Sequence, residues 1–143
     1  SWEEAAALPL GGVTAYRALV TKGQVKEGET VLIPGIGGGV ATFLVQFAAA
    51  CGADVFVTSS KDEKIAKAKE FGAVGGVNYA SENWSKELKK LTGGVDLSVD
   101  SIGGEVFDDQ LGLYFDGEEH GEVVALTFVP TFCSKLFRLW SIQ

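Results

Sequence analysis

Short apolar runs rich in β-branched residues alternate along the chain with longer stretches of helical periodicity. TVLIP at 30–34, DVFVT at 54–58, GGVNY at 75–79, VDLSVD at 95–100 and EVVALTF at 122–128 read as strands, and LWSIQ at 139–143 as a sixth. Between the first two, residues 40–51 space Val40, Leu44, Val45, Phe47, Ala48 and Cys51 as a helix would. That spacing predicts Cys51 in the core. Ser60 and Glu63 have the S-x-x-E spacing of a capping box, which opens a helix through IAKAKEFG that Gly72 ends. Residues 83–92 form a charged helix around Trp84, Leu88 and Leu91. Gly103 to Phe115 reads as a further helix with Val106, Leu111 and Tyr114 inward. Upstream, residues 2–8 and 13–22 read as two helices with LPLGG as a break.

Strand and helix alternating at this spacing predict βαβ units, hence an α/β fold with a doubly wound parallel sheet of about six strands flanked by helices. Ligands of such sheets sit in the crevice beyond the carboxyl ends of the strands.

One stretch carries a candidate chemistry. In VLIPGIGGGVATFLVQFAAACGADV, Gly35 and Gly37, Gly38 and Gly39 lie between the first strand and the helix after it. Backbone N–H groups at a helix N-terminus make an anion site, and glycines allow phosphates to approach. Read from Gly35, the G-x-G-x-x-G pattern fails at Val40. Shifted by one, Ile36 takes the first place, Gly38 the middle and Ala41 the last, where alanine suits close helix–strand packing. A tight turn without any ligand would use the same glycines.

The end of the second strand refines the reading. An NAD site places an acid about 20 residues past the glycines, on the ribose 2′-hydroxyl. Here the strand ends in Ser59, Ser60 and Lys61, with Lys64 a turn later. Two hydroxyls and nearby lysines suit a 2′-phosphate and favour NADP(H) over NAD(H). A helix N-cap with a solvated lysine face would account for the same residues.

Composition narrows the classes. At 143 residues the chain is one domain, with 46% hydrophobic and 22% charged residues. Glycine is abundant at 19 and proline scarce at 3, which suggests tight turns. The net charge of −7 disfavours nucleic acid. Two cysteines and a single histidine, His120, give no zinc-ligand set, so no zinc is expected in this domain. No apolar run approaches the roughly 18 residues of a membrane span, and SWEEAAALPL is no secretory signal. A cytoplasmic protein with no membrane partner is expected.

In order, EEAAALPLGGVTAYRAL, GETVLIPGIGGGVATFLVQFAAACGADV, SSKDEKIAKAKEFGA, VNY and VDLSVDSIGGE resemble the medium-chain dehydrogenase/reductase superfamily. The similarity is greatest to quinone-oxidoreductase-like and alcohol-dehydrogenase-like members. The resemblance implies a Rossmann dinucleotide-binding domain over residues 1–143, and NADP(H) as its cofactor. Gly35, Ile36, Gly37, Gly38, Gly39, Val40 and Ala41 match its pyrophosphate turn. Ser59 stands where NAD-using members are acidic, and Lys64 and Tyr79 match residues that hold the 2′-phosphate in NADPH-using reductases. Ser101, Ile102 and Gly103 match the loop beside the adenosine ribose. Ala125, Leu126 and Thr127 match the strand end near the nicotinamide, with Thr14 on the helix that borders it. Leu126 departs from the glycine usual there. The family's separate N-terminal catalytic domain is absent from this chain, which starts after it.

The intact enzyme is therefore expected to transfer hydride between NADPH and a small-molecule carbonyl, quinone or activated alkene, with the isolated chain inactive and no catalytic residue assignable in it. A homodimer through the edge of the sixth strand is also implied. The alternative is a non-catalytic nucleotide-binding or dimerisation module. A methyltransferase of similar topology lacks its acid at the second strand tip. Cys133 reads as a packing or surface thiol, His120 as a loop residue, Asp96 and Asp100 as capping groups, Asp108 and Asp109 as exposed helix charges, and Trp84 and Trp140 as packing anchors.

Overall fold

The computed structural model describes residues 1–102 and the backbone of residues 122–125. The expected helix from Gly103 to Phe115, the sixth strand, Asp108, Asp109, His120, Cys133 and Trp140 lie outside the described residues.

Five strands form one parallel sheet in the order β3-β2-β1-β4-β5. They are β1 (Thr30–Ile33), β2 (Asp54–Ser59), β3 (Gly75–Asn78), β4 (Leu97–Asp100) and β5 (Glu122–Ala125). Each falls within a stretch read as a strand, with GGVN of β3 the weakest pattern. The helices are α1 (Trp2–Ala7), α2 (Val13–Tyr16), α3 (Gly39–Ala50), α4 (Asp62–Glu70) and α5 (Trp84–Thr92). Strand order reverses between β1 and β4, which makes their carboxyl ends the switch point of a doubly wound fold.

Alternate residues of the strands feed two apolar layers. Val31, Ile33, Val55, Val57, Leu97 and Val99 pack on one face against Leu19, Leu44, Val45, Ala48, Ile65 and Ala68 of the helices. Leu32, Phe56 and Val77 pack on the other against Trp84 and Leu88 of α5. Trp84 is thus a packing anchor. Both faces being covered explains why the strands read as continuous apolar runs. Asp96 accepts the Thr30 N–H at 2.7 Å, tying the start of β4 to β1.

Four expectations need correction. LPLGG is no break: Leu8–Gly12 is π-helical and joins α1 to α2, and a second π-helical stretch, Arg17–Lys22, extends α2. Pro9 removes an N–H, and the wider turn absorbs that loss without ending the helix. Gly11 lets this segment lie close to α3, since a Cβ there would stand 3.0 Å from the Phe43 ring. The capping box does not form: Lys61 is the N-cap of α4 and makes no side-chain cap. Ser59 accepts the Lys61 N–H instead, at 3.2 Å. Cys51 is an exposed free thiol, because α3 ends at Ala50 and the chain turns outward. Leu91 is exposed as well, on the outer side of α5.

Ala41 is buried at 1% exposure in the layer between α3 and the sheet. Ala41→Leu is expected to lower stability by about 1–3 kcal/mol through overpacking. Urea unfolding measures this, whereas an unchanged midpoint would mean that the α3–sheet spacing is not limiting.

Candidate functional site

The loop between β1 and α3 is bound to β2. The Ile36 N–H donates to the Thr58 carbonyl at 2.9 Å. Gly35 N–H reaches the Thr58 hydroxyl at 3.4 Å, at the long limit for such a bond. Ile36 turns its side chain into the core, at 5% exposure, so only its backbone can face a ligand. Gly35 and Gly37 have φ of +65° and +125°, a region that side chains rarely adopt.

Gly38 is the N-cap of α3, extended at φ −83°, and supplies no side chain to the helix amides. Its carbonyl accepts from both the amide and the hydroxyl of Thr42. A Cβ at Gly38 or Gly39 would meet nothing within 4 Å. The first-turn N–H groups of a helix have no intrahelical partners, and here they face open space with the positive end of the helix dipole behind them. Val40 is half-buried and packs against the core, while Ala41 lets α3 approach the sheet. This cradle fits an anion such as a pyrophosphate.

At the end of β2, Ser59 is buried and Ser60 exposed. The Ser59 carbonyl accepts the Tyr79 N–H at 3.0 Å, which places the half-buried Tyr79 beside that strand end. Lys64 reaches back from α4 to the glycine loop. Its Nζ lies 2.8 Å from where a Cβ on Gly37 would stand. Asp62, the first acid after the strand, accepts instead from Asn78 Nδ2 at 2.9 Å, on the β3 side.

At the end of β4, buried Asp100 accepts the Ile102 N–H at 2.7 Å, the turn-capping role expected of it. Ser101 is exposed, and the Ile102 side chain lies over Gly35. Ala125 closes β5 opposite Asp100. Leu126, Thr127 and Gly103 lie outside the described residues. Thr14 spends its hydroxyl on the Leu10 carbonyl at 2.7 Å, within its own helix.

The structure therefore brings Lys64 to Gly37 and Ile102 to Gly35 on the glycine loop, and joins Ser59 to Tyr79 at the end of β2. Sequence reading missed Thr58, which anchors the loop. Its position as the last residue of DVFVT, level with the glycines, was the available signal. A shallow groove of about 460 Å³ also lies beside β3, lined by Asp62, Lys69, Asn78, Ser81 and Glu87 among others. Its two carboxylates outnumber its one lysine, which disfavours a phosphate. Among the described residues, no three His, Cys, Asp or Glu side chains converge to hold a metal ion.

The glycines fall into two kinds, and stability should separate them. Gly35→Ala and Gly37→Ala are expected to cost about 1–3 kcal/mol each from backbone strain, with collisions added. Gly39→Ala, inside the helix, should leave the melting temperature unchanged or slightly raised, and Gly38→Ala, at the N-cap, should cost less than about 1 kcal/mol. Thermal unfolding of the four variants checks this division; equal losses at all four would refute it.

Residues 39–128 match the family model described as zinc-binding dehydrogenase. The chain is 49% identical over 110 residues to a zinc-type alcohol dehydrogenase-like protein, YogA, of Leptosphaeria maculans, covering 72% of this chain and 31% of that protein. It is 37% identical over 115 residues to quinone oxidoreductase-like protein 2 of Rattus norvegicus, covering 78% and 33%. The chain thus spans about a third of the length of these curated relatives. Among solved structures, an NAD-dependent alcohol dehydrogenase superposes with a TM-score of 0.79 at 38% identity, over 86% of this chain and 36% of that one. CurA from Vibrio vulnificus in complex with NADPH superposes with a TM-score of 0.73 at 25% identity, over 92% and 41%. The glycine cradle at the switch point and these likenesses agree: the chain belongs to the zinc-binding dehydrogenase family, within the medium-chain dehydrogenase/reductase superfamily.

Proposed function

We propose that this chain is the NADP(H)-binding domain of an oxidoreductase that transfers hydride between NADPH and a carbonyl, quinone or activated alkene. One observation carries the choice of cofactor. The Lys64 side chain lies against Gly37, the residue before the N-cap of α3, while Asp62 is held on the β3 side by Asn78. A free acid at that place would select a ribose diol; a cation selects a 2′-phosphate. The NADPH complex of CurA supports the same reading.

A bound nicotinamide dinucleotide would supply the hydride chemistry. The residues of this chain bind and orient it. The Gly38–Ala41 amides hold the pyrophosphate, with the α3 dipole favouring its charge. Lys64, with Ser59 and Tyr79 alongside, holds the 2′-phosphate through charge-assisted bonds. The family resemblance would set Ala125 and Thr14 toward the nicotinamide. The matched stretch covers only about a third of the curated relatives, which leaves room in a longer protein for a separate substrate-facing part.

Titrating the full-length protein with NADPH and NADH tests this. NADPH should bind tighter, and Lys64→Ala should weaken NADPH roughly tenfold or more while leaving NADH within about twofold. Binding of neither cofactor would end the dinucleotide reading. Tighter NADH binding, or equal losses of both cofactors in Lys64→Ala, would end the 2′-phosphate assignment alone.

A further inference from the structure

Ile102 is a large apolar side chain left 41% exposed at the switch point, and it belongs to neither core layer. Its backbone is fixed from below, because its N–H donates to Asp100, a carboxylate only 1% exposed. From this turn the side chain crosses from the β4 end to the β1 end and settles on Gly35. A Cβ at Gly35 would stand 2.5 Å from Ile102 Cγ1 and would collide with Cδ1.

Gly35 opens the loop whose other end presents the amides of Gly38 and Gly39. Glycine has the widest conformational freedom of any residue, so a loop built on Gly35 and Gly37 needs holding. Two of its holds come from Thr58 on the β2 side. Among the described residues, Ile102 supplies the hold from the β4 side. Its branched side chain is stiff at χ1, which makes it a firm stop rather than a loose cover.

We propose that Ile102 is a positioning residue: its terminal methyl group clamps Gly35 and holds the β1–α3 loop in the conformation that presents amides to a pyrophosphate. The inference rests on the dinucleotide reading above. It adds that the β4 turn sets the phosphate loop from across the switch point, through apolar contact. Without the clamp, the loop must be ordered at the moment of binding, and that cost falls on affinity. Because both nicotinamide dinucleotides carry the pyrophosphate, the clamp should serve them equally.

The test uses the full-length protein, with dissociation constants for NADPH and NADH and the melting temperature of each variant. Ile102→Ala should weaken both cofactors by the same factor, roughly three- to tenfold, and leave their ratio unchanged. Its melting temperature should change little, as the side chain is outside the core. Ile102→Val, which loses the clamping methyl but keeps the branch, should fall between. Gly35→Ala should harm binding less in the Ile102→Ala background than alone, since the two positions are in contact. Wild-type binding of both cofactors by Ile102→Ala, loss of NADPH alone, or additive effects of the Gly35 and Ile102 changes would each overturn the clamp. Failure of the wild-type protein to bind either cofactor would instead overturn the dinucleotide reading, and the clamp with it.

Discussion

The Ile36 N–H bonds to the Thr58 carbonyl at 2.9 Å while the Ile36 side chain is sunk in the core. The site depends on that pair of contacts. A chain leaving a buried strand for a helix must satisfy its amides or expose them. Here the loop satisfies one on the neighbouring strand and fixes itself by one apolar side chain. The next amides, from Gly38 onward, are thereby turned outward. The positive φ of Gly35 and Gly37 permits the fold-back on either side of Ile36. The small Ala41 lets α3 sit close enough to the sheet for its first turn to reach the crevice.

Charge placement then decides what the cradle prefers. The chain as a whole carries −7, which repels an anionic cofactor at long range. Local geometry offsets this. Helix dipole and uncapped amides act within the first turn, and Lys64 adds a full positive charge at the mouth of the loop. Asp62 is close in sequence to Ser59 yet is directed to Asn78. Lys64 thus lies toward the glycine loop and Asp62 toward β3.

The parts legible in the sequence were those set by local pattern. β1, β2 and β5 showed as apolar, β-branched runs, as strands covered on both faces do, while GGVN of β3 and LSVD of β4 gave weaker patterns. The glycine register centred on Gly38 and Ala41 was also readable, since each position has its own steric demand. Tertiary contact decided the rest. LPLGG contains every usual sign of a break, yet packing of Gly11 on Phe43 keeps it helical. Ser60 and Glu63 had the spacing of a cap, but α4 takes Lys61 as its N-cap, which leaves Ser60 one residue outside the capping position. Cys51 followed the apolar period one residue past the helix end. The Ile102–Gly35 contact joins positions distant in the chain and has no local signature. Lys64 was located by spacing, while its approach to Gly37 required the fold.

The central claim is that the amides at the start of α3 bind the pyrophosphate of a nicotinamide dinucleotide. The most direct measurement is an amide-resolved NMR titration of the ¹⁵N-labelled protein with NADPH. The account predicts that the largest shifts fall on Gly38, Gly39, Val40 and Ala41. Shifts centred on Asn78 to Ser81 in the groove beside β3, with the Gly38–Ala41 signals unmoved, would contradict it.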